Sequence, residues 1–150
     1  MIQNPIEQRN TGKGNPGAIL HFDRPLNRRQ EKLLKLLPSY DRRIILPKHE
    51  VNMKDLSALT AKTGVEYAMF TKKGSRLIIR GSANMTNVDV PFAVKLAQEG
   101  YRWSGHTHPG STLNVLIPSE GDRLILRQFD QEFSCIWNES GSFAVFGGDD

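Results

Sequence analysis

The spacing of apolar positions changes repeatedly along this chain, and each change marks a new element. From Asn27 to Leu37, the residues Leu33, Leu34, Leu36 and Leu37 make a broad apolar face that Pro38 stops, which predicts a helix. Arg43-Ile44-Ile45-Leu46 reads as a short strand. Asn52 to Thr63 predicts a second helix, with Met53, Leu56, Leu59 and Thr60 on one stripe and Gly64 as its stop. Val65 to Phe70 and Arg76 to Gly81 read as strands joined by the turn Lys72-Lys73-Gly74-Ser75. Val88-Asp89-Val90 reads as a strand end or turn, and Pro91 opens a helix that runs to Gly100. Tyr101-Arg102-Trp103-Ser104-Gly105 is strand-like because of its aromatics, and Pro109 ends that run. Ser119 starts a helix reaching Phe129. Two closing strands, Phe133 to Trp137 and Ser142 to Phe146, flank Asn138-Glu139-Ser140-Gly141 as a hairpin. Helices and hairpins in this order predict an α+β fold, a mixed α/β sandwich around a mixed sheet.

The pattern also divides the chain. Residues 1–25 carry Asn10, Gly12, Gly14, Asn15, Pro16 and Gly17, which reads as an arm or linker. Within it, Ala18-Ile19-Leu20-His21-Phe22 is a short apolar patch suited to docking on the remainder. Residues 26–150 are expected to form a single domain, since 150 residues suffice for one core.

Composition narrows the class. Apolar content of 38% and charged content of 24% are ordinary for a soluble protein. No apolar run approaches the ~18 residues of a membrane helix. Met1-Ile2-Gln3-Asn4-Pro5 lacks a signal peptide's apolar stretch. The expectation is a cytoplasmic protein without membrane contact, or a piece of a larger delivered protein; nothing in the sequence sets an oligomeric state. Cys135 is the only cysteine, so no internal disulfide is available, and its strand context reads as a small buried hydrophobe. The net charge is +4, and Arg24, Arg28, Arg29, Lys32, Lys35, Arg42, Arg43 and Lys48 crowd the first third. Such a cluster is either a solvated face or a contact for an acidic partner or, weakly, nucleic acid.

Candidate chemistry concentrates in residues 106–122. In a strand, side chains at i and i+2 share a face, so His106 and His108 can converge on one point. Pro118 precedes Ser119-Glu120-Gly121-Asp122, a helix N-terminus signature that puts Asp122 in the first turn, facing back toward the strand end. Two His and one carboxylate is a common ligand set for a catalytic zinc, leaving the fourth position for water. Each half has a plainer reading too: Ser119-x-x-Asp122 as a capping box, and His-x-His as a surface pair at a strand end.

His106-x-His108-Pro109 followed by Ser119-x-x-Asp122 resembles the JAMM (JAB/MPN) zinc metalloprotease signature. The resemblance covers roughly residues 42–147. It implies a curved sheet flanked by helices, a cytidine deaminase-like architecture, with zinc on His106, His108 and Asp122. It also implies that Ser119 supports the reacting groups, and that an upstream Glu at the start of a strand after a helix is the general base. Glu66 stands in that place, and it is a charged residue in an apolar strand, which is unusual unless paired or functional. Glu50 competes but precedes the helix. The chain departs from the family in two respects. The loop 109–118 is longer than usual, the extra residues falling at Leu113-Asn114-Val115-Leu116, and Tyr67, Ala68 and Met69 follow Glu66 where the family often has Gly.

The expected activity is hydrolysis of an amide bond in a protein or peptide substrate, as a peptidase or isopeptidase. JAMM-like domains also occur as effector or toxin modules of bacterial and phage proteins. Two alternatives come from other classes. One is a nucleic-acid-acting module, against which the lone two-His-one-Asp set argues, since nucleases commonly add a carboxylate-rich second metal site. The other is an inactive JAMM-like scaffold that binds protein partners.

Overall fold

The computed structural model describes residues 25–86 and 88–149. The expected arm, with its patch Ala18 to Phe22 and with His21, lies outside the described residues apart from Pro25. Four helices and six strands follow in the order α1 (Arg28–Leu36), β1 (Arg43–Pro47), α2 (Met53–Thr63), β2 (Tyr67–Lys72), β3 (Ser75–Arg80), α3 (Val90–Gln98), β4 (Arg102–Thr107), α4 (Glu120–Leu126), β5 (Phe133–Trp137) and β6 (Phe143–Gly147). Short 3-10 turns cover Lys48–Glu50 and Leu113–Val115.

Every helix starts on a short polar side chain. Asn27, Asn52 and Ser119 each accept from the backbone N–H three residues on, and the residue there returns a bond, so all three are capping boxes. Asp89 caps α3 from its Oδ1, with Pro91 in the first turn. Gly64, with φ of 76°, ends α2 in the left-handed region that side chains avoid.

The strands form one mixed six-stranded sheet in the order β1-β3-β2-β4-β5-β6. All neighbours are antiparallel except β4 and β5, which run parallel. The long connection between β4 and β5 carries α4, as a parallel pair requires. Helices cover both faces, giving the expected α+β sandwich. Along β2 the side chains alternate: Tyr67 and Met69 pack with Leu33, Leu56 and Leu59 of α1 and α2, while Ala68 and Phe70 pack with Leu96 and Leu126 of α3 and α4. A sheet covered twice explains why Tyr67 to Phe70 are buried without a polar break. Among the described residues no helix is long and apolar enough to cross a membrane.

Three boundaries differ from the sequence expectation. Asp89 caps a helix rather than joining a strand end, because its cap bond to Phe92 and the fixed φ of Pro91 outweigh the strand preference of Val88 and Val90. The last helix stops at Leu126, and the chain to Phe129 continues in tighter turns, with the N–H groups of Gln128 and Phe129 bonding three residues back. Strand β2 starts at Tyr67, so Glu66 sits just before it rather than inside it.

Cys135 is half-buried rather than fully so, and burial pushes its thiol up, away from a reactive thiolate. The basic first third is partly spent internally. Arg29 donates Nε and Nη2 to Asp55 Oδ2 at 3.0 and 2.6 Å. Arg43 pairs with Asp41 at 3.2 Å and lies over the Phe92 ring. His49 is well exposed, as expected of a loop residue, and Glu50 faces it at 4.0 Å beside α1.

Candidate metal centre

Strand β4 carries the two histidines, and its neighbours aim them. His106 pairs with Ala68 of β2 on one side and with Ile136 of β5 on the other. Continuing the antiparallel register two residues puts Glu66 opposite His108. The backbone of Glu66 is held by Ser82 and Gly81, its N–H donating at 2.8 Å and its carbonyl accepting at 2.7 Å. Between the two imidazoles, Thr107 points to the other face. Its hydroxyl lies 2.6 Å from that of Thr60 in α2 and accepts from Tyr67 N–H at 2.9 Å. These bonds fasten the end of β4 to α2 and to the start of β2.

The side chains meet on the α4 face. His106 Nε2 and His108 Nε2 are 3.1 Å apart. Asp122, in the first turn of α4, places Oδ1 3.2 Å from His106 and Oδ2 3.5 Å from His108. Glu66, His106 and His108 each offer a ligand atom within 4.8 Å of the others, so this buried group could hold a metal ion. Glu66, His106, His108 and Asp122, all singled out in the sequence, therefore converge. Ser119 lies at the same spot but on the exposed side. Its Oγ accepts from Asp122 N–H at 3.0 Å, and its own N–H donates to Asp122 Oδ2 at 2.9 Å. The capping box thus orients the carboxylate as well as starting the helix.

Two supports of the histidines were not foreseen. The first is a β-bulge. Met69 pairs with Gly105 but Phe70 pairs with Trp103, so Ser104 is an extra residue in β4. Strict alternation would put Trp103 on the face opposite His106. The bulge returns it to the same face, where the two rings stack at 4.8 Å with 22° between planes. Ser104 Oγ meets Thr71 Oγ1 at 2.5 Å and holds the bulge. The second support is the long loop. Val115 carbonyl lies 2.6 Å from His108 Nδ1, so that nitrogen donates and Nε2 is turned toward the cluster. An acceptor of this kind behind a ligating imidazole fixes its tautomer and orientation. His106 lacks one: its Nδ1 is buried without a partner. That ring is held by packing against Trp103 and Phe146 instead.

The β5–β6 turn grips the loop. Glu139 accepts from Gly110 N–H at 3.0 Å through Oε2, and its own N–H donates to Gly110 carbonyl at 3.0 Å. Asn138 Nδ2 donates to Thr112 carbonyl at 3.0 Å. Gly110 needs to be glycine twice over, since its φ is 107° and a Cβ would fall 2.8 Å from Val115 Cγ1. Glu139 is buried, and this raises its pKa despite the Gly110 bond. Replacing Glu139 with Ala leaves Gly110 N–H without its acceptor. A loss of about 1–3 kcal/mol is expected in urea unfolding; an unchanged midpoint would show the grip to be idle.

Electrostatics separate the four groups. Burial pushes Glu66 up to about 7, against the lowering pull of His108 and with a further push from Asp122. Burial alone would raise Asp122, but hydrogen bonds from both imidazoles and the charge of His106 outweigh it and hold the carboxyl well below its usual range. His106 is lowered by complete burial, which beats its bond to Asp122. His108 is less buried, so its bond to Asp122 and the charge of Glu66 overcome desolvation and raise it. The arrangement pairs one firmly ionised carboxylate with one poised near neutrality, as acid–base chemistry at pH 7 requires.

No family model matches the chain, and no curated protein or solved structure matches it.

Proposed function

We propose that the protein is a zinc-dependent peptidase or isopeptidase of JAMM type, with the metal on His106, His108 and Asp122. The observation that carries this is the spacing of the donors. Zinc takes imidazole nitrogens and carboxylate oxygens at ~2.0–2.2 Å in tetrahedral array, which makes each edge between ligand atoms ~3.3 Å. The separations here are 3.1, 3.2 and 3.5 Å. Val115 already holds His108 with Nε2 turned toward the other donors, and the two imidazoles already favour the ionised form of Asp122. A zinc ion held there would supply Lewis acidity toward water and the scissile carbonyl.

The chain's own residues supply the rest. Glu66 stands across from His108 with a pKa near 7, so it takes a proton from water and returns it to the leaving amine. Ser119 keeps its hydroxyl hydrogen free for an oxyanion while its lone pair serves the cap. On the loop above the cluster, Leu113 and Ile117 are 71% and 68% exposed. An apolar rim beside a polar cluster favours a protein or peptide substrate. The internal engagement of Arg29 and Arg43 weakens the case for a phosphate-bearing one.

The test is metal analysis joined to an assay. Purified protein should carry about one zinc per chain and cleave members of a peptide and isopeptide panel, with activity lost to a chelator and restored by zinc. A protein that takes up no zinc at micromolar supply sinks the reading and leaves the inactive scaffold. The loop gives a second prediction. Deleting residues 113–116 removes the Val115 acceptor, and zinc affinity should fall by about 10–100-fold in chelator competition. Unaltered affinity would mean that the loop does not hold His108.

A further inference from the structure

Helix α4 carries a second feature beside the cluster. Arg123 and Arg127 are one helical turn apart and share a side of the helix. Together with Pro118, Glu120, Gly148 and Asp149 they line a hollow of about 550 Å³. Arg123 Nη1 is buried and has no hydrogen-bond partner. Arg127 Nη1 donates to Gly148 carbonyl at 2.6 Å. Among the described residues no carboxylate forms an ion pair with either guanidinium, although Glu120 and Asp149 stand in the same hollow.

The hollow is shaped by its backbone. A Cβ at Gly148 would fall 2.8 Å from Arg127 Cγ, so glycine lets the arginine stem lie flat on the end of β6. It also adjoins the metal cluster. Arg123 follows Asp122 directly, and Pro118 directly precedes Ser119. A buried guanidinium nitrogen without an acceptor carries an unrecovered desolvation cost. A planar fork of donors matches a carboxylate in two-bond geometry.

We infer that the Arg123–Arg127 hollow is a carboxylate-binding subsite that holds an acidic group of the chain being cleaved. Its link to cleavage rests on the peptidase reading; its binding of carboxylate does not. Two sources share the chemistry: an Asp or Glu side chain next to the scissile bond, and a free C-terminal carboxylate. Glu120 and Asp149 at the same hollow disfavour a further negative charge unless it reaches the arginines.

The test needs neither metal nor turnover. Isotope-labelled metal-free protein is titrated by NMR with acetyl-Gly-Gly-Glu-amide, with acetyl-Gly-Gly-Gly bearing a free carboxylate, and with acetyl-Gly-Gly-Gly-amide. At least one acidic peptide should shift the amides of 123–127 and 147–149, and the neutral amide should not; which one does so identifies the source. Arg123→Gln should weaken binding by about tenfold or more. Arg123→Lys should retain part of it, because the charge stays while the fork is lost. Should Arg123→Gln fail to fold by circular dichroism, Arg127→Gln is read instead with the same expectation. Glu66→Gln should bind like the parent, so an absence of hydrolysis leaves this result standing. Equal binding of the neutral peptide, parent-like affinity in the arginine variants, or no shift up to ~20 mM peptide, well above a millimolar Kd, overturns the subsite.

Discussion

Glu66→Gln is expected to lower hydrolysis by at least about 100-fold while zinc stays bound, because the amide keeps the size of the carboxylate but cannot take a proton. The same change should stabilise the metal-free protein in a pH-dependent way. The folded value of Glu66 is about 7 against an ordinary 4.5. A carboxyl raised by folding favours its protonated form, so its contribution is complete below the unfolded value and is lost as pH climbs through the folded one. Glutamine mimics the protonated form throughout. The advantage of Glu66→Gln should thus be near zero below pH ~4.5, grow between pH ~4.5 and ~7, and level off at roughly 3 kcal/mol. Urea unfolding of metal-free protein across that range reads it directly. A flat difference would mean that Glu66 is solvated, and near-normal turnover would pass the base role to Glu50.

His106→Ala and His108→Ala should both abolish stoichiometric zinc, yet differ without metal. His106 is fully buried between Trp103, Phe146 and the cluster. Its loss leaves a cavity in the α3/α4-side core and should cost about 2–4 kcal/mol in urea unfolding. His108 keeps a side-chain exposure of 16% and its main tie is a loop carbonyl, so its removal should cost under about 1.5 kcal/mol. Elemental analysis with metal-free unfolding separates the two effects. Full zinc content in both variants would end the ligand assignment.

Much of this site was legible in the chain because its determinants are local. His106 and His108 share a face by the period of a strand, and a bulge placed before them does not disturb that. Asp122 is aimed by a capping box written within four residues. Asn27 and Asn52 likewise mark their helix starts with side chains that act three residues away. The rest depends on partners that leave no local trace. Trp103 reaches the His106 face only through an extra residue at Ser104, and that residue is stabilised by Thr71 on another strand. Val115 acts through its carbonyl, which every residue has. Glu139 read as part of a polar turn, and its burial follows from a loop lying over it. Asp89 shows the opposite error, a local cap masked by the strand preference of its valine neighbours.

The grip of residues 138–142 on the loop bears on the order in which the protein is made. Glu66, both histidines and Asp122 all emerge from the ribosome before the turn that fixes Gly110 and, through it, the position of Val115. Until that turn closes, His108 is free to rotate and present either nitrogen. A nascent chain therefore holds every donor before it holds the geometry, and tight metal capture should wait until residues 138–142 have emerged and closed on the loop.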